Sequence, residues 1–188
     1  MKDGTWIEAG KLVAGMKWNV VYFEHVFDDI PVAVSQVTTQ SRKKAYNTRQ
    51  RYVVEDSFEV KMQAAENKDV TEIEEISYVV WSMVTNPDSD WFVGLSANNV
   101  NDQGQSFTFT NVNSATTPAF FGAMQTADGV NTAGLRYRSL TGSGVEVFVE
   151  EETSLDGETE HTTEKVGYIA LWGASKGYDD LYVEPPPT

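Results

Sequence analysis

The stretch that decides the fold is residues 144–173, GVEVFVEEETSLDGETEHTTEKVGYIALWG, because the chain carries a second version of it at residues 57–82, SFEVKMQAAENKDVTEIEEISYVVWS. Each version has a segment in which apolar and polar residues alternate, then an acidic connection, then a closing apolar segment. Alternation with a period of two is typical of a β-strand with one buried face. Each version therefore predicts two strands joined by an acidic loop.

The similarity between the two halves continues upstream of these stretches. Three intervals are equal in both halves: Pro31 to Thr39 and Pro118 to Thr126, Thr39 to Arg49 and Thr126 to Arg136, and Arg51 to Phe58 and Arg138 to Val145. Glu74 and Tyr78 then correspond to Glu164 and Tyr168, after a short insertion in the second acidic loop. Chance rarely preserves consecutive intervals of this kind, so the pattern indicates an internal duplication.

The duplicated unit predicts the fold class. Its apolar segments are short and separated by turn residues, and no long segment has the three-four apolar spacing of an amphipathic helix. We therefore predict an all-β protein of two tandem small antiparallel β-sandwiches: residues 1–84, a linker at 85–90, residues 91–175, and a tail at 176–188. Trp6 and Trp91 are interpreted as equivalent residues that anchor packing between repeats or subunits.

Composition limits the function classes. The formal net charge is −14, which opposes binding to nucleic acid or to anionic lipid. There is no cysteine, so stability must come from the apolar core. The chain as given contains neither a signal peptide nor an apolar run long enough to span a membrane, and we expect a virion or extracellular location without membrane insertion.

The chain resembles the H-type lectin fold and related repeats of bacterial surface proteins and polysaccharide-degrading enzymes. The resemblance lies in WIEAG at 6–10, the Pro-Val-x-Val segment ending at Val34, the arginine strand at 48–54, FEV at 58–60 and VGYIA at 166–170. It implies six-stranded sandwiches that form trimers and bind sugars such as N-acetylgalactosamine at a rim shared between subunits. The tryptophan that such lectins carry after the FEV strand is replaced here by Ala65 and Glu152.

The resemblance also implies glycan-binding residues. Asp128 is similar to the acidic residue that ends the second strand of H-type lectins, and Arg49 and Arg136 are similar to the arginine on their next strand. His161 and Glu164 resemble a Gly-x-His-x-x-Glu element of the related bacterial repeats, and Tyr137 lies in polar surroundings suited to stacking on a sugar.

Each of these residues also has an interpretation without a ligand. Asp128 precedes Gly129 in a sequence typical of a turn. The arginines are suited to pairing with carboxylates such as Glu59 or Glu146 across a sheet. His161 corresponds to Thr71 in the first half, which makes the histidine dispensable for the fold and favours a contact role.

The acidic loop at 150–161 has enough oxygen atoms to bind Ca²⁺, although its spacing does not match an EF-hand. Solvated negative loops are the commoner outcome, and apart from this ion we expect no cofactor. The sequence has no cysteine, two histidines at non-equivalent places, and neither a nucleophile elbow nor a phosphate-binding loop. We therefore expect no enzymatic activity.

These observations favour a surface binding or assembly protein. The first hypothesis is a bacteriophage virion component, from the tail or capsid surface, that presents loops to host glycans. The alternative is a carbohydrate-binding accessory module of a secreted polysaccharide-degrading enzyme. In both cases we expect homo-oligomers, with a trimer favoured by the resemblance, and in the first case other virion proteins are further expected partners.

Overall fold

The computed structural model describes residues 5–41, 44–66, 68, 71–83, 90–112 and 115–173. These residues contain twelve β-strands and no helix, which confirms the all-β prediction. The predicted linker and tail lie outside the described residues, apart from Asp90.

The first repeat is a small sandwich of two three-stranded antiparallel sheets. The strand orders are β1-β6-β3 and β2-β5-β4. The strands are β1 (Ile7–Ala14), β2 (Asn19–Tyr22), β3 (Val32–Val37), β4 (Tyr46–Arg51), β5 (Ser57–Ala64) and β6 (Glu74–Trp81).

The second repeat has the same topology, with every strand number raised by six: β7-β12-β9 and β10-β11-β8. The strands are β7 (Trp91–Val100), β8 (Gln105–Thr108), β9 (Ala119–Met124), β10 (Ala133–Thr141), β11 (Gly144–Glu151) and β12 (Glu164–Leu171). Identical strand orders in the two halves are what a duplicated sandwich requires.

Each sandwich has its own core. In β11 the alternating residues Val145, Val147 and Val149 are buried, as the sequence pattern predicts for a half-buried strand. The first core gathers around Phe58 and the second around Tyr168. Within the described residues, each sandwich therefore has its own packed core.

A tyrosine that lies over a glycine recurs in both cores. Tyr78 stands opposite Gly10 and Tyr168 opposite Gly94 in the strand registers. A Cβ atom at Gly94 would lie 2.2 Å from Cζ of Tyr168, and one at Gly10 would lie 2.3 Å from Oη of Tyr78. Only glycine lets the ring cross the neighbouring strand there, so these pairs give the structural alignment of the repeats.

That alignment corrects one expectation from the sequence. Ile7 stands opposite Trp81, and Trp91 stands opposite Leu171. Trp91 is therefore equivalent to Ile7 and not to Trp6. Because consecutive strand residues point to opposite faces of a sheet, Trp6, one residue before Ile7, does not share the face of Trp91. Trp6 is 51% exposed and stacks on His25, whereas Trp91 packs between the repeats.

Candidate functional site at the junction of the two repeats

An apolar cluster joins the two sandwiches. Its buried members are Val32 of β3, Val93 of β7 and Ile169 of β12. The partly buried residues around them are Val34, Trp81, Met83, Trp91 and Leu171. Trp81 and Trp91 approach each other across the junction, with ring centroids 6.0 Å apart. The two repeats therefore pack against each other through an apolar contact.

A glutamine side chain of the second repeat completes the edge of a strand in the first. Gln125 accepts a hydrogen bond from the Ala33 backbone N–H at 3.1 Å and donates to the Ala33 carbonyl at 2.9 Å. Gln50 donates to the same carbonyl at 2.5 Å. Ala33 lies on the edge strand β3, whose outward backbone groups need partners once they are buried. The amide groups supply those partners.

Glu164, the first residue of β12, is the centre of a buried polar cluster. Its carboxylate accepts hydrogen bonds from Arg49 at 2.8 Å, from the Gly129 backbone N–H at 3.0 Å, and from the Thr126 hydroxyl. Arg49 comes from β4 of the first repeat, and its side chain is 1% exposed, so this ion pair crosses the junction. Burial alone would raise the pKa of Glu164, but hydrogen bonds from His161, Thr126 and Gly129, with the charge of Arg49, lower it to about 2.

His161 lies between two carboxylates. Its Nδ1 atom is 2.6 Å from Glu151 and its Nε2 atom is 3.2 Å from Glu164. Its backbone N–H donates to Asp102. The ring packs against Gly129, where a Cβ atom would lie 2.2 Å from Cε1 of the imidazole. Burial lowers the pKa of His161, but the hydrogen bonds to Glu164 and Glu151 outweigh burial and hold the pKa above its usual value.

The charges of this cluster balance only when the imidazole is protonated. Glu151 and Glu164 contribute two negative charges, and Arg49 contributes one positive charge. Both ring nitrogens of His161 face carboxylate oxygens, and both can donate only in the imidazolium form. A buried charge without a partner is costly. The cluster therefore acts as a lock between the repeats, which we call the junction lock: Arg49, Glu151, His161 and Glu164.

The base of the acidic loop also bridges the repeats. The Glu66 backbone N–H donates to Glu152 at 2.9 Å, and the Thr132 backbone N–H donates to Glu66 at 2.9 Å. The Thr132 hydroxyl donates to the Ala64 carbonyl at 2.7 Å. Glu66 and Glu152 follow equivalent strands, so the ends of β5 and β11 lie side by side at the junction.

Two adjoining grooves open above the junction. The first has a volume of about 260 Å³, and its walls come from β3 and β4 of the first repeat and from β9 and β10 of the second. Its polar lining includes Gln36, Asn47 and Thr48. The second groove shares Asn47, Gly134 and Leu135 with the first and continues to Arg136 and Glu150. The first groove offers hydroxyl and amide groups together with Arg49, and the second adds the carboxylates of Glu150, Glu151 and Glu152.

The structure brings three of the predicted site residues together, but in the interior. Arg49, His161 and Glu164 form the junction lock, with side chains that are at most 1% exposed. Arg49 also lines the first groove, whereas His161 and Glu164 line neither groove. Their observed partners are one another and Glu151, which assigns them to holding the repeats together.

The other three predicted site residues are exposed: Asp128 lies in the loop before β10, and Arg136 and Tyr137 are consecutive residues of β10. Asp128 accepts a hydrogen bond from Asn98 at 2.8 Å. Arg136 lines the second groove and pairs with Glu150 at 2.7 Å. Tyr137, 49% exposed, contacts Phe120 edge-on, with centroids 5.3 Å apart. A glycan contact at these residues stays a prediction.

Cross-strand pairing of the arginines is confirmed. Arg51 pairs with Glu59 at 2.7 Å, and Arg138 pairs with Glu146 at 2.6 Å. The guanidinium of Arg51 also lies over the ring of Trp18, 4.1 Å from its centroid. These arginines are framework residues on the outer faces of their sheets.

The acidic loop at 150–161 shows the hydrogen bonds of a solvated turn. Asp156 accepts from the Glu158 backbone N–H at 3.0 Å, and Glu152 accepts from the Ser154 hydroxyl at 2.6 Å. Within the described part of the chain, no group of three or more His, Cys, Asp or Glu residues is arranged to hold a metal ion. Binding of Ca²⁺ by this loop stays a prediction.

Sequence reasoning missed Gln50, Gln125 and Glu151, which complete the junction. Gln125 directly precedes Thr126 and stands where the first repeat has Thr38, so a difference between matched positions was the available signal. Glu151 was grouped with the acidic loop, although it is the last residue of β11 and is 8% exposed.

The chain is similar to halomucin of Haloquadratum walsbyi. The two sequences are 26% identical over 181 residues, which cover 93% of this chain and 2% of halomucin. The chain thus spans a very small part of the relative that it matches. No protein-family model matches the sequence, and no solved structure matches it. The described residues include no helix with the length and apolarity that a membrane span requires.

Proposed function

We propose that this chain is a non-enzymatic, surface-associated binding and assembly module that binds glycans in the grooves above the junction. The carrying observation is that both repeats contribute walls to one groove while the junction lock beneath fixes their relative position. A site built on two rigidly joined sandwiches is preorganised, which reduces the cost of binding.

The chemistry of the grooves supports a sugar more than a charged ligand. Gln36, Asn47 and Thr48 offer amide and hydroxyl groups, and Arg136 and Glu150 neutralise each other at the far end. A volume of about 260 Å³ is at the small end of ligand sites, which suits a single sugar ring. His161 and Glu164, although their pKa values are shifted, line neither groove. The carboxylates that line the second groove are already engaged: Glu150 pairs with Arg136, Glu151 with His161, and Glu152 accepts a hydrogen bond from Ser154.

The resemblance to H-type lectins supports glycan binding and homo-oligomers, with a trimer favoured. The similarity to halomucin is compatible with a surface-associated role. Within that role, the preferred setting is a phage virion surface, where other virion proteins are partners, and the alternative is an accessory module of a secreted polysaccharide-degrading enzyme. The genes that flank this one distinguish the settings: structural phage genes support the first, and a polysaccharidase fused or adjacent supports the second.

A glycan array tests the binding proposal. Wild-type protein is expected to bind a limited set of glycans, and Asn47→Ala, at the point where the two grooves meet, is expected to remove that binding. Asp128→Ala and Arg136→Ala test the predicted rim contacts in the same format. Tyr22→Ala is the matched control, since Tyr22 is 74% exposed and lines neither groove.

All four variants change exposed side chains, so their melting temperatures should stay close to that of the wild type. Loss of binding in Asn47→Ala alone places the sugar in the groove, and loss in Asp128→Ala alone places it at the rim. An array on which the wild type binds nothing refutes the glycan proposal. Release of new reducing ends from a bound glycan refutes the non-enzymatic proposal.

A further inference from the structure

The outer face of the sheet β2-β5-β4 carries three cations close together. Lys61 of β5 stands opposite Arg49 of β4 in the strand register, and Glu59, two residues before Lys61, stands opposite Arg51. Because residues two apart on a strand point to the same face, all three cations lie on one face. Arg49 pairs with Glu164, and Arg51 pairs with Glu59. In the described part of the chain, no carboxylate forms an ion pair with Lys61.

The charge of Lys61 is unfavourable for the fold. Burial lowers the pKa of this lysine, and the charges of Arg49 and Arg51 lower it further. A lysine whose pKa is lower in the folded chain than in the unfolded chain costs stability while it is protonated, as it is at neutral pH. A cation that costs stability and lacks a carboxylate partner favours a role in binding an anion.

Trp18 holds two of these cations in place. The guanidinium carbon of Arg51 lies 4.1 Å from the centroid of the Trp18 ring, and Nζ of Lys61 lies 4.9 Å from it. Arg51 also lies over the ring of Tyr52, 4.7 Å from its centroid. Aromatic rings attract cations, so the tryptophan keeps the two positive charges together against their mutual repulsion.

The second repeat differs at both of these positions. Arg138 pairs with Glu146 as Arg51 pairs with Glu59. By the same strand registers, Phe148 is the counterpart of Lys61, and Gly104 is the counterpart of Trp18. The duplicated framework therefore does not require the lysine or the tryptophan, which are particular to the first repeat.

A third groove begins at Lys61. Its volume is about 320 Å³, and it shares no lining residue with the two grooves above the junction. Lys61 and Gln63 of β5 form one wall, and Asn131 of the second repeat lies on another. Met16 and Leu155, which are 36% and 65% exposed, add apolar surface. The groove is large enough for one sugar ring.

The lining of the third groove carries a net positive charge of one. Lys61 and Lys68 contribute cations, and Glu66 contributes a carboxylate that already accepts a hydrogen bond from the Thr132 backbone N–H at 2.9 Å. At an ionic strength of 0.15 M the Debye length is about 8 Å, so the distant negative charges of the protein are largely screened. The nearby cations therefore dominate the potential that an anion meets in the groove.

The wall of the third groove also holds a polar group that lacks a partner. Gln63 is 6% exposed, and its Oε1 atom has no hydrogen-bond donor among the described residues. Its Nε2 atom donates to the Asn131 carbonyl over a long distance of 3.4 Å. An unpaired buried amide oxygen is costly. Rotation of the terminal amide would present this oxygen to a hydroxyl group in the groove.

We propose that the third groove binds an acidic sugar residue, whose carboxylate pairs with Lys61 and whose hydroxyl group donates to Gln63. A sugar acid carries both groups on one ring, and the C–H face of the ring suits contact with Met16 and Leu155. This site is separate from the two grooves above the junction, and it does not depend on glycan binding there.

Isothermal titration calorimetry at pH 7 in 0.15 M NaCl tests the proposal with trigalacturonate and sialyllactose. The fully methyl-esterified form of each sugar is the matched neutral ligand. Wild-type protein is expected to bind at least one of the two acidic sugars. Its methyl ester should bind about tenfold more weakly or worse, because a charge-assisted hydrogen bond is lost.

Lys61→Met is expected to weaken binding of the acid by a similar factor and to abolish the preference for the acid over the ester. Because the charge of Lys61 costs stability, this variant should melt no lower than the wild type. A lysine with only a structural role would lower the melting temperature instead. Gln63→Leu should weaken binding by about threefold to tenfold, since it removes one hydrogen bond.

Two control variants remove a cation elsewhere. Lys11→Met makes the same change in net charge, but Lys11 pairs with Glu75 on the other sheet. Arg136→Met removes the cation of the second groove. Both variants should bind the acidic sugar as the wild type does.

Five results would overturn the proposal. The first is a wild type that binds neither acidic sugar, and the second is equal affinity for acid and ester. The third is unchanged affinity in Lys61→Met. The fourth is loss of binding in Arg136→Met instead, which would place the carboxylate in the second groove. The fifth is binding of acetate as tightly as the sugar, which would show a simple anion site.

Discussion

Arg49 and Arg136 occupy equivalent positions on equivalent strands, yet their surroundings are opposite. The Arg49 side chain is 1% exposed and binds a buried carboxylate of the other repeat. The Arg136 side chain is 64% exposed and binds Glu150 of its own sheet. Duplication gave both repeats the same arginine, and packing of one repeat on the other decided which arginine became structural.

The carboxylates differ in the same way. Glu74 and Glu164 each begin the central strand of a sheet and accept hydrogen bonds from the loop that follows the neighbouring edge strand. Glu74 binds Thr39 and Ser41 after β3, and Glu164 binds Thr126 and Gly129 after β9. Only Glu164 also contacts a histidine, because the first repeat has Thr71 at the position of His161. Both repeats thus share the hydrogen bonds between this carboxylate and a loop, and in the second repeat the same carboxylate is also part of the junction lock.

The largest effect is expected from Arg49→Met. Removing the guanidinium leaves Glu164 buried without its cation, which should lower the free energy of unfolding by about 3–5 kcal/mol. Arg136→Met, the matched control, should change it by about 0–1 kcal/mol because that ion pair is exposed. Urea unfolding of both variants provides the measurement. Similar losses in the two variants would show that the buried ion pair stabilises the protein no more than the exposed one.

His161→Thr makes the second repeat like the first at this position. Glu151 and Glu164 each lose a hydrogen bond in the interior, and we expect a loss of about 1–3 kcal/mol in urea unfolding. The reverse change, Thr71→His, adds a histidine where the first repeat has no lock and serves as the control. A His161→Thr variant with unchanged stability would contradict the charge balance proposed for the cluster.

Gly94→Ala should cost more than Gly10→Ala. Both substitutions push a Cβ atom against a tyrosine ring. Tyr168 is 6% exposed and stacks on Phe107 at 4.7 Å, whereas the ring of Tyr78 is only part-buried and has room to move. Overpacking costs about 1–3 kcal/mol, and Gly94→Ala should lie at the upper end of that range in thermal melts. The opposite order would mean that the first core is the more rigid one.

The smallest expected effect is the pH dependence of stability, which comes from the junction lock of the second repeat. The raised pKa of His161 stabilises the fold fully below about 6.5, and this contribution is lost as the pH rises through the raised value. The pKa of Glu164, lowered to about 2, stabilises the fold above about 4.5, and that contribution is lost as the pH falls towards 2. The lock should be strongest between these limits.

The measurement is the difference in urea midpoint between wild type and His161→Thr at a series of pH values, since general charge repulsion affects both proteins alike. Each unit by which the pKa of His161 is raised corresponds to about 1.4 kcal/mol of stability that disappears on the alkaline side. A difference that stays constant from pH 5 to pH 9 would contradict the protonated form of His161.

The sequence predicted the strands and their duplication, because alternation and equal intervals are local properties. Phe58, Val60 and Met62 are buried as their spacing predicts. The sequence did not predict the contact between the repeats, because Arg49 and Arg136 occupy matching positions in strands of similar pattern. Which of them becomes buried depends on how one sandwich packs on the other, and no pattern within either repeat carries that information. Trp6 was matched to Trp91 by residue type, whereas the strand registers of the two repeats make Trp91 equivalent to Ile7.

The amide of Gln125 also has a consequence for how the first repeat meets strands of other molecules. Strand β3 lies at the rim of its sheet, and an uncovered rim can template an added strand from a neighbour of similar sequence. Here the N–H and the carbonyl of Ala33 are already occupied by side chains. A foreign strand therefore finds no free backbone partner at Ala33, which protects this rim against strand addition.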